Sequence, residues 1–266
     1  MAKRNKYILL VLIFIFFDYN LNSQKVDIIV SGEAKTQTTI LNNETFKINL
    51  NENDLKNFKS KGFISYADIG AAGDGKSDDI NFIIATHHIA NKYGLAVRAN
   101  IGAKYFIGGK GKSAIIKTNT NFLNSTFIID DTNVKNREAS IFSVESNLNP
   151  ISIYGVNRIK KNQDKINVNF KTSCLITVSD SNIRNYIRYG LNQNNGKPQT
   201  DIFIIDQYGK IDKSSPIIWD FDDITEISAI PIDAKQLIIN GGKFITIANK
   251  APSKYTYYSR NISITR

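Results

Sequence analysis

The chain has 266 residues, a formal net charge of +10 and a single cysteine, Cys174. That length admits one large or two small domains, and one cysteine excludes an internal disulfide. The cations are scattered apart from Arg158-Ile-Lys160-Lys161, and no basic helix or aromatic-interleaved stripe marks a nucleic-acid binder.

Residues 1–23 read as a signal peptide. Lys3, Arg4 and Lys6 precede ten consecutive apolar residues, Ile8 to Phe17. That core is too short for a spanning helix, which needs about 20 residues. Cleavage is expected near Ser23-Gln24, leaving no stable membrane span and a net charge of +8. No cysteine lies near that junction to carry a lipid. The mature chain is therefore expected to be secreted, periplasmic or at the cell surface, held together by its core, with Cys174 a buried strand residue. Its basic charge suits an acidic partner. Residues 24–58 read as a lead-in segment, with one strand-like run from Lys25 to Val30 and then a connection rich in Asn, Glu and Thr.

Residues 59–130 carry the most information. Gly70-Ala-Ala-Gly-Asp-Gly-Lys76-Ser77 matches the G-x-x-x-x-G-K-[ST] phosphate loop letter for letter, after a strand-like run from Phe63 to Ile69. The chemistry argues against a nucleotide there. Asp78 and Asp79 follow at once, where a phosphate needs bare N–H groups and a positive dipole end. The preceding run also alternates apolar and polar residues, whereas a central parallel strand is apolar throughout. The same letters read without conflict as a turn and a helix start. Gly70, Gly73 and Gly75 permit the bends, Asp78 serves as N-cap and Asp79 favours the dipole. Positions 80, 83, 84, 87 and 90 form one face of a helix over 79–93, closed by Gly94. This puts His87 on the apolar face as a packed residue. Strands are predicted at Leu95–Ala99 and Lys104–Ile107, then at Ala114–Thr118 and Thr126–Asp130.

The block from Asp68 to Asp79, the helix, and Val97-Arg-Ala-Asn-Ile-Gly-Ala-Lys-Tyr105-Phe-Ile together resemble the entry segment of the pectate-lyase-like superfamily. That segment usually reads Phe-Gly-Ala-x-Gly-Asp-Gly-x-Thr-Asp-Asp, a capping helix, then Val-x-Phe-Pro-x-Gly-x-Tyr. Here Ile69 replaces the Phe, Ala99-Asn-Ile replaces the Phe-Pro-Pro type turn, and His87 takes a position that is normally aliphatic. The resemblance covers roughly 45 residues closely, with a weaker echo near 236–249. It implies an all-β fold, a right-handed parallel β-helix with a capping helix. It also implies structural roles in that cap and turn for Gly73, Asp74, Gly75, Asp78 and Asp79. Most members are secreted polysaccharide lyases, hydrolases or epimerases, so an acidic polysaccharide is the implied partner.

Residues 131–235 follow a different rhythm. Short strands at Ile141–Val144, Ile151–Tyr154, Cys174–Val178, Tyr186–Tyr189, Asp201–Ile205, Ile217–Trp219 and Glu226–Ile230 alternate with Asn-, Gly- and Pro-containing turns. This predicts an inserted antiparallel β region with hairpin tips at Asn192–Gly196 and Gln207–Gly209. Residues 236–266 return to short strands around Gly241-Gly242 and form a further β-helix coil. No capping segment follows Arg266, and an open coil exposes strand edges. The chain is therefore expected to be the N-terminal portion of a longer product, with the catalytic coils of the family largely beyond it.

The candidate catalytic residues are Asp220, Asp222 and Asp223, beside Trp219. In an extended segment Asp220 and Asp222 share a face. Such a pair could serve a glycosidase, or hold the Ca2+ that a lyase would use. Arg184, Tyr186, Arg188 and Trp219 are the candidate substrate contacts, with Tyr189 beside them. No Cys/His spacing suggests a transition metal. Two function classes stand: a lyase or glycoside hydrolase acting on an acidic polysaccharide, and a non-catalytic carbohydrate-binding or structural module of the cell surface.

Overall fold

A computed structural model describes residues 25–32, 36–40, 45–109, 111–134, 139–191, 193–250 and 260–266. The predicted signal segment lies outside them. The structure is mostly β, with 40% strand and, among the described residues, two α-helices. The first described residues belong to a three-stranded sheet: β1 (Lys25–Ser31), β2 (Gln37–Ile40) and β3 (Thr45–Asn51), in the order β1-β3-β2. Helix α1 (Glu52–Lys61) follows directly. Asn51 caps it by accepting the Asn53 and Asp54 amides, and Gly62 closes it with φ 73°. One strand was expected across residues 24–58; the structure has three strands and most of a helix.

From Phe63 the chain repeatedly visits the same three sides. The first pass runs through β4 (Phe63–Ser65), β5 (Asp74–Asp78) and α2 (Ile80–Tyr93). The second runs through β6 (Ala96–Arg98), β7 (Lys104–Ile107) and β8 (Ala114–Ile116). The third holds β9 (Thr120–Asn121), β10 (Thr126–Asp130) and β11 (Phe142–Val144). An excursion follows, built on β12 (Ile151–Ser152), β13 (Cys174–Asn185), β14 (Lys197–Ile205) and β15 (Glu226–Pro231). The fourth pass is β16 (Ile239–Asn240), β17 (Lys243–Ile247) and β18 (Ile262–Ile264).

Each pass lies parallel on the one before. The sheets run β4-β6-β9-β16, β5-β7-β10-β17 and β8-β11-β18. In the first pass α2 takes the third side and packs on β8. The arrangement is compatible with a β-helix. Stacking places like residues over like. Tyr105, Phe127 and Phe244 are register partners. Their rings stand 5.2 and 5.1 Å apart, the second pair nearly parallel at 11°. The excursion is antiparallel, in the order β12-β15-β13-β14, around its own core of Ile176, Val178, Phe203, Ile217 and Phe221.

Four local expectations need correction. Ile141–Val144 was assigned to the antiparallel region, but β11 pairs in parallel with β8 and β18. Tyr186–Tyr189 is not a strand; Tyr186 has φ 59° and opens the loop between β13 and β14. Ile217–Trp219 is not a strand either. The N-cap position of α2 belongs to Asp79, not Asp78.

Candidate functional site

The glycine loop binds its own carboxylates. Asp79 is fully buried and accepts the Ala72 and Gly73 amides at 2.7 and 3.1 Å. Burial pushes its carboxyl above the ordinary range, against the pull of those two amides. Asp74 accepts the Lys76 and Ser77 amides, both at 2.8 Å, and the Ser77 hydroxyl at 2.9 Å. These bonds hold its carboxyl below the ordinary range. Asp78 accepts the Ile80 and Gly108 amides. Gly73, at φ +60°, brings the backbone so close that a Cβ would meet the Ala103 methyl at 3.0 Å. Lys76 and Ser77 lie in β5, ahead of the helix, and the Ala72, Gly73, Lys76 and Ser77 N–H groups all donate to carboxylates of the chain itself.

The aspartates of the 220–223 segment are tied separately. Asp222 pairs with Lys160 at 2.6 Å, and Asp220 accepts the Lys161 amide at 2.8 Å. Asp223 accepts from the Asn182 amide group at 3.0 Å. Asp220 and Asp222 thus both reach the 160–161 turn. Lys160 lowers the Asp222 carboxyl, which keeps it ionised, unlike a general acid. Among the described residues no three His, Cys, Asp or Glu side chains converge to hold a metal ion. Trp219 is partly exposed, between the buried Ile217 and Phe221. Its segment is joined to the base of the β13–β14 hairpin through Asp220 and Gln199 and through Asp223 and Asn182. Arg184 lies near the end of β13, and Tyr186 and Arg188 lie in the loop beyond it.

A cleft of about 790 Å³ was not foreseen from the sequence. It lies where the parallel stack meets the antiparallel region, between Leu95–Ala96 and Lys117–Asn119 on one side and Lys171–Thr172 and Ile232–Leu237 on the other. Its volume is within the range of about 300–1,000 Å³ usual for ligand pockets. Lys117, Lys171, Lys235 and Arg266 line it, against one carboxylate, Asp233. Arg266 stands 3.4 Å from Asp233, and Lys117 stands 3.9 Å from Glu145. Among the described residues, two buried atoms of the lining residues, Thr118 Oγ1 and Asp233 Oδ2, have no hydrogen-bond partner. Ala96 and Asn119 also line a shallow groove over the outer face of the β4-β6-β9-β16 sheet. There Arg98, Asn121 and Asn240 stand in register on successive strands. The Arg98 guanidinium lies 4.2 Å from the Phe63 ring centroid.

The cleft's cations, Lys117, Lys171, Lys235 and Arg266, are spread over more than a hundred residues of sequence, which no local motif can reveal. No family model matches the chain, and no curated protein matches it.

Proposed function

We propose that this chain is an acidic-polysaccharide-binding module, secreted, periplasmic or displayed at the cell surface. Its four passes are read as coils of a right-handed parallel β-helix of the pectate-lyase-like type, interrupted by the antiparallel excursion. The observation that carries the binding reading is the cleft. It is lined by four cations against one carboxylate, and it shares Ala96 and Asn119 with a shallow groove over the neighbouring sheet face. Cations suit uronate carboxylates, and a cleft that runs on into a groove suits a polymer.

Binding is favoured over turnover because the aspartates of the 220–223 segment are committed to Lys160, Lys161 and Asn182. A retaining or inverting hydrolase needs two carboxylates facing one glycosidic bond. Affinity electrophoresis through polygalacturonate tests the reading, with neutral dextran as control. Retardation is expected in polygalacturonate alone, weakened at least about tenfold by Lys171→Glu/Lys235→Glu, since each reversal opposes a phosphate-like or carboxylate charge at short range. Unchanged retardation in the double variant would exclude the cleft. New ultraviolet absorbance from unsaturated uronates would replace binding with lyase activity.

A further inference from the structure

The hairpin of β13 and β14 outruns its sheet. β13 pairs with β15 only as far as Ser179, opposite Glu226, but stays paired with β14 to Asn185, opposite Lys197. Past Ser179 the hairpin has no strand on its β15 side. Beyond Asn185 the chain forms a loop pinned by the mutual backbone bonds of Arg188 and Asn194. That loop displays large apolar side chains: Tyr186 is 84% exposed, Tyr189 86% and Leu191 94%. Ile183 and Ile187 are exposed as well. From Ser181 to Thr200 the chain contains Arg184, Arg188 and Lys197 and no carboxylate.

We propose that this hairpin docks the protein on an anionic lipid surface. Leu191 and Ile187 would enter the acyl boundary, Tyr186 and Tyr189 would lie at headgroup level, and the three cations would meet lipid phosphates. Aliphatic and tyrosine side chains backed by Arg and Lys are the composition that interfacial binding needs. Exposure on this scale is costly in water unless something covers it. A polysaccharide fits the loop poorly. A sugar chain is gripped in a concave site with fixed hydrogen-bonding groups, whereas this loop projects past its sheet and its most exposed large apolar side chain is a leucine. The proposal is independent of the cleft reading.

The test uses the full chain with Leu191→Cys, labelled with an environment-sensitive fluorophore; the native Cys174 is buried and escapes labelling. Phosphatidylcholine vesicles with and without phosphatidylglycerol are the probes. The expected result is a blue shift and intensity gain with the anionic vesicles, reversed by high salt. Arg184→Ser/Arg188→Ser should weaken the partition about tenfold or more, because each cation near an anionic bilayer contributes measurably. Lys171→Glu/Lys235→Glu should leave the response intact. The N-terminal apolar run Ile8–Phe17 is common to all variants, and a probe at position 191 reports the loop alone. No shift with anionic vesicles, an equal shift with neutral ones, or a shift produced by polygalacturonate instead would each overturn the proposal.

Discussion

The Asp79 carboxylate accepts two loop amides while its own backbone opens α2. One residue therefore fixes both the bend at Gly73 and the start of the helix that covers the first pass. Asp79→Ala would leave two amides in a buried setting without partners. At about 1–3 kcal/mol for each group left unsatisfied, a loss of about 3 kcal/mol is expected in urea denaturation. Asp79→Asn should lose less, because its oxygen still accepts one amide while its NH2 group opposes the other. His87 sets a different sensitivity. It is fully buried, with Nε2 2.9 Å from the Tyr66 hydroxyl and Nδ1 without a partner among the described residues. Burial pushes its pKa down to about 3. The unfolded chain takes up a proton near pH 6.5 that the folded chain refuses until about pH 3. Stability from this site is thus complete above pH 6.5 and falls as pH drops towards 3. Between pH 7 and 4.5 the loss attributable to His87 is about 2–3 kcal/mol. His87→Phe should flatten the decline of the urea midpoint over that interval, and an unchanged slope would show that the imidazole does not govern it.

At the scale of elements, the turn between β16 and β17 tests the stacking directly. Gly241 and Gly242 have φ of 75° and 80°. A Cβ on Gly241 would lie 2.5 Å from the Leu123 carbonyl oxygen of the preceding pass. Gly241→Ala adds a backbone clash to left-handed strain, and a loss of at least about 2 kcal/mol is expected by denaturation. The glycines and helix α2 were legible because they are local signals. Ile80, Ile83, Ile84, His87 and Ala90 recur at helical spacing, and all are buried. Helix α1 escaped notice because only Leu55 and Phe58 of its ten residues are buried, too few to show a period. Its caps, Asn51 and Gly62, were readable signals. The strand β11 was misplaced for another reason. Ile141–Val144 looks like any short apolar strand, and its partners lie 28 residues before it and 120 after it, at Ala114 and Ile262. Tyr186–Tyr189 alternates like a strand, yet beyond Asn185 no neighbouring strand completes a ladder, so propensity had nothing to pair with. The cleft was illegible for the same reason as β11. Lys117, Lys171, Lys235 and Arg266 meet only after the chain has made its excursion and returned.

For the whole molecule, the decisive feature is that the chain leaves the parallel stack after β11, builds a second core and returns to complete the stack. The return is fastened by a fully buried ion pair, Arg260 with Asp131 at 2.6 Å. Arg260 also donates to the Asp130 carbonyl at 3.3 Å and the Gly108 carbonyl at 3.0 Å, joining the fourth pass to the second and third. Burial pushes the Asp131 carboxyl up, and the Arg260 guanidinium opposes that shift. Arg260→Met would leave a buried carboxylate without its cation, a change that costs about 3–5 kcal/mol. Arg260→Met/Asp131→Leu removes both charges and should recover most of the loss. The two cores give this prediction a second readout. Trp219 is the single tryptophan of the chain, flanked by Ile217 and Phe221 of the antiparallel core. Its fluorescence therefore follows that core, whereas far-ultraviolet circular dichroism follows both. If the cores unfold as separate cooperative units, Arg260→Met should move the circular dichroism transition to lower urea and leave the fluorescence transition in place. Coincident transitions, shifting together in the variant, would mean that the cleft between the cores transmits the loss and that the molecule unfolds as one unit.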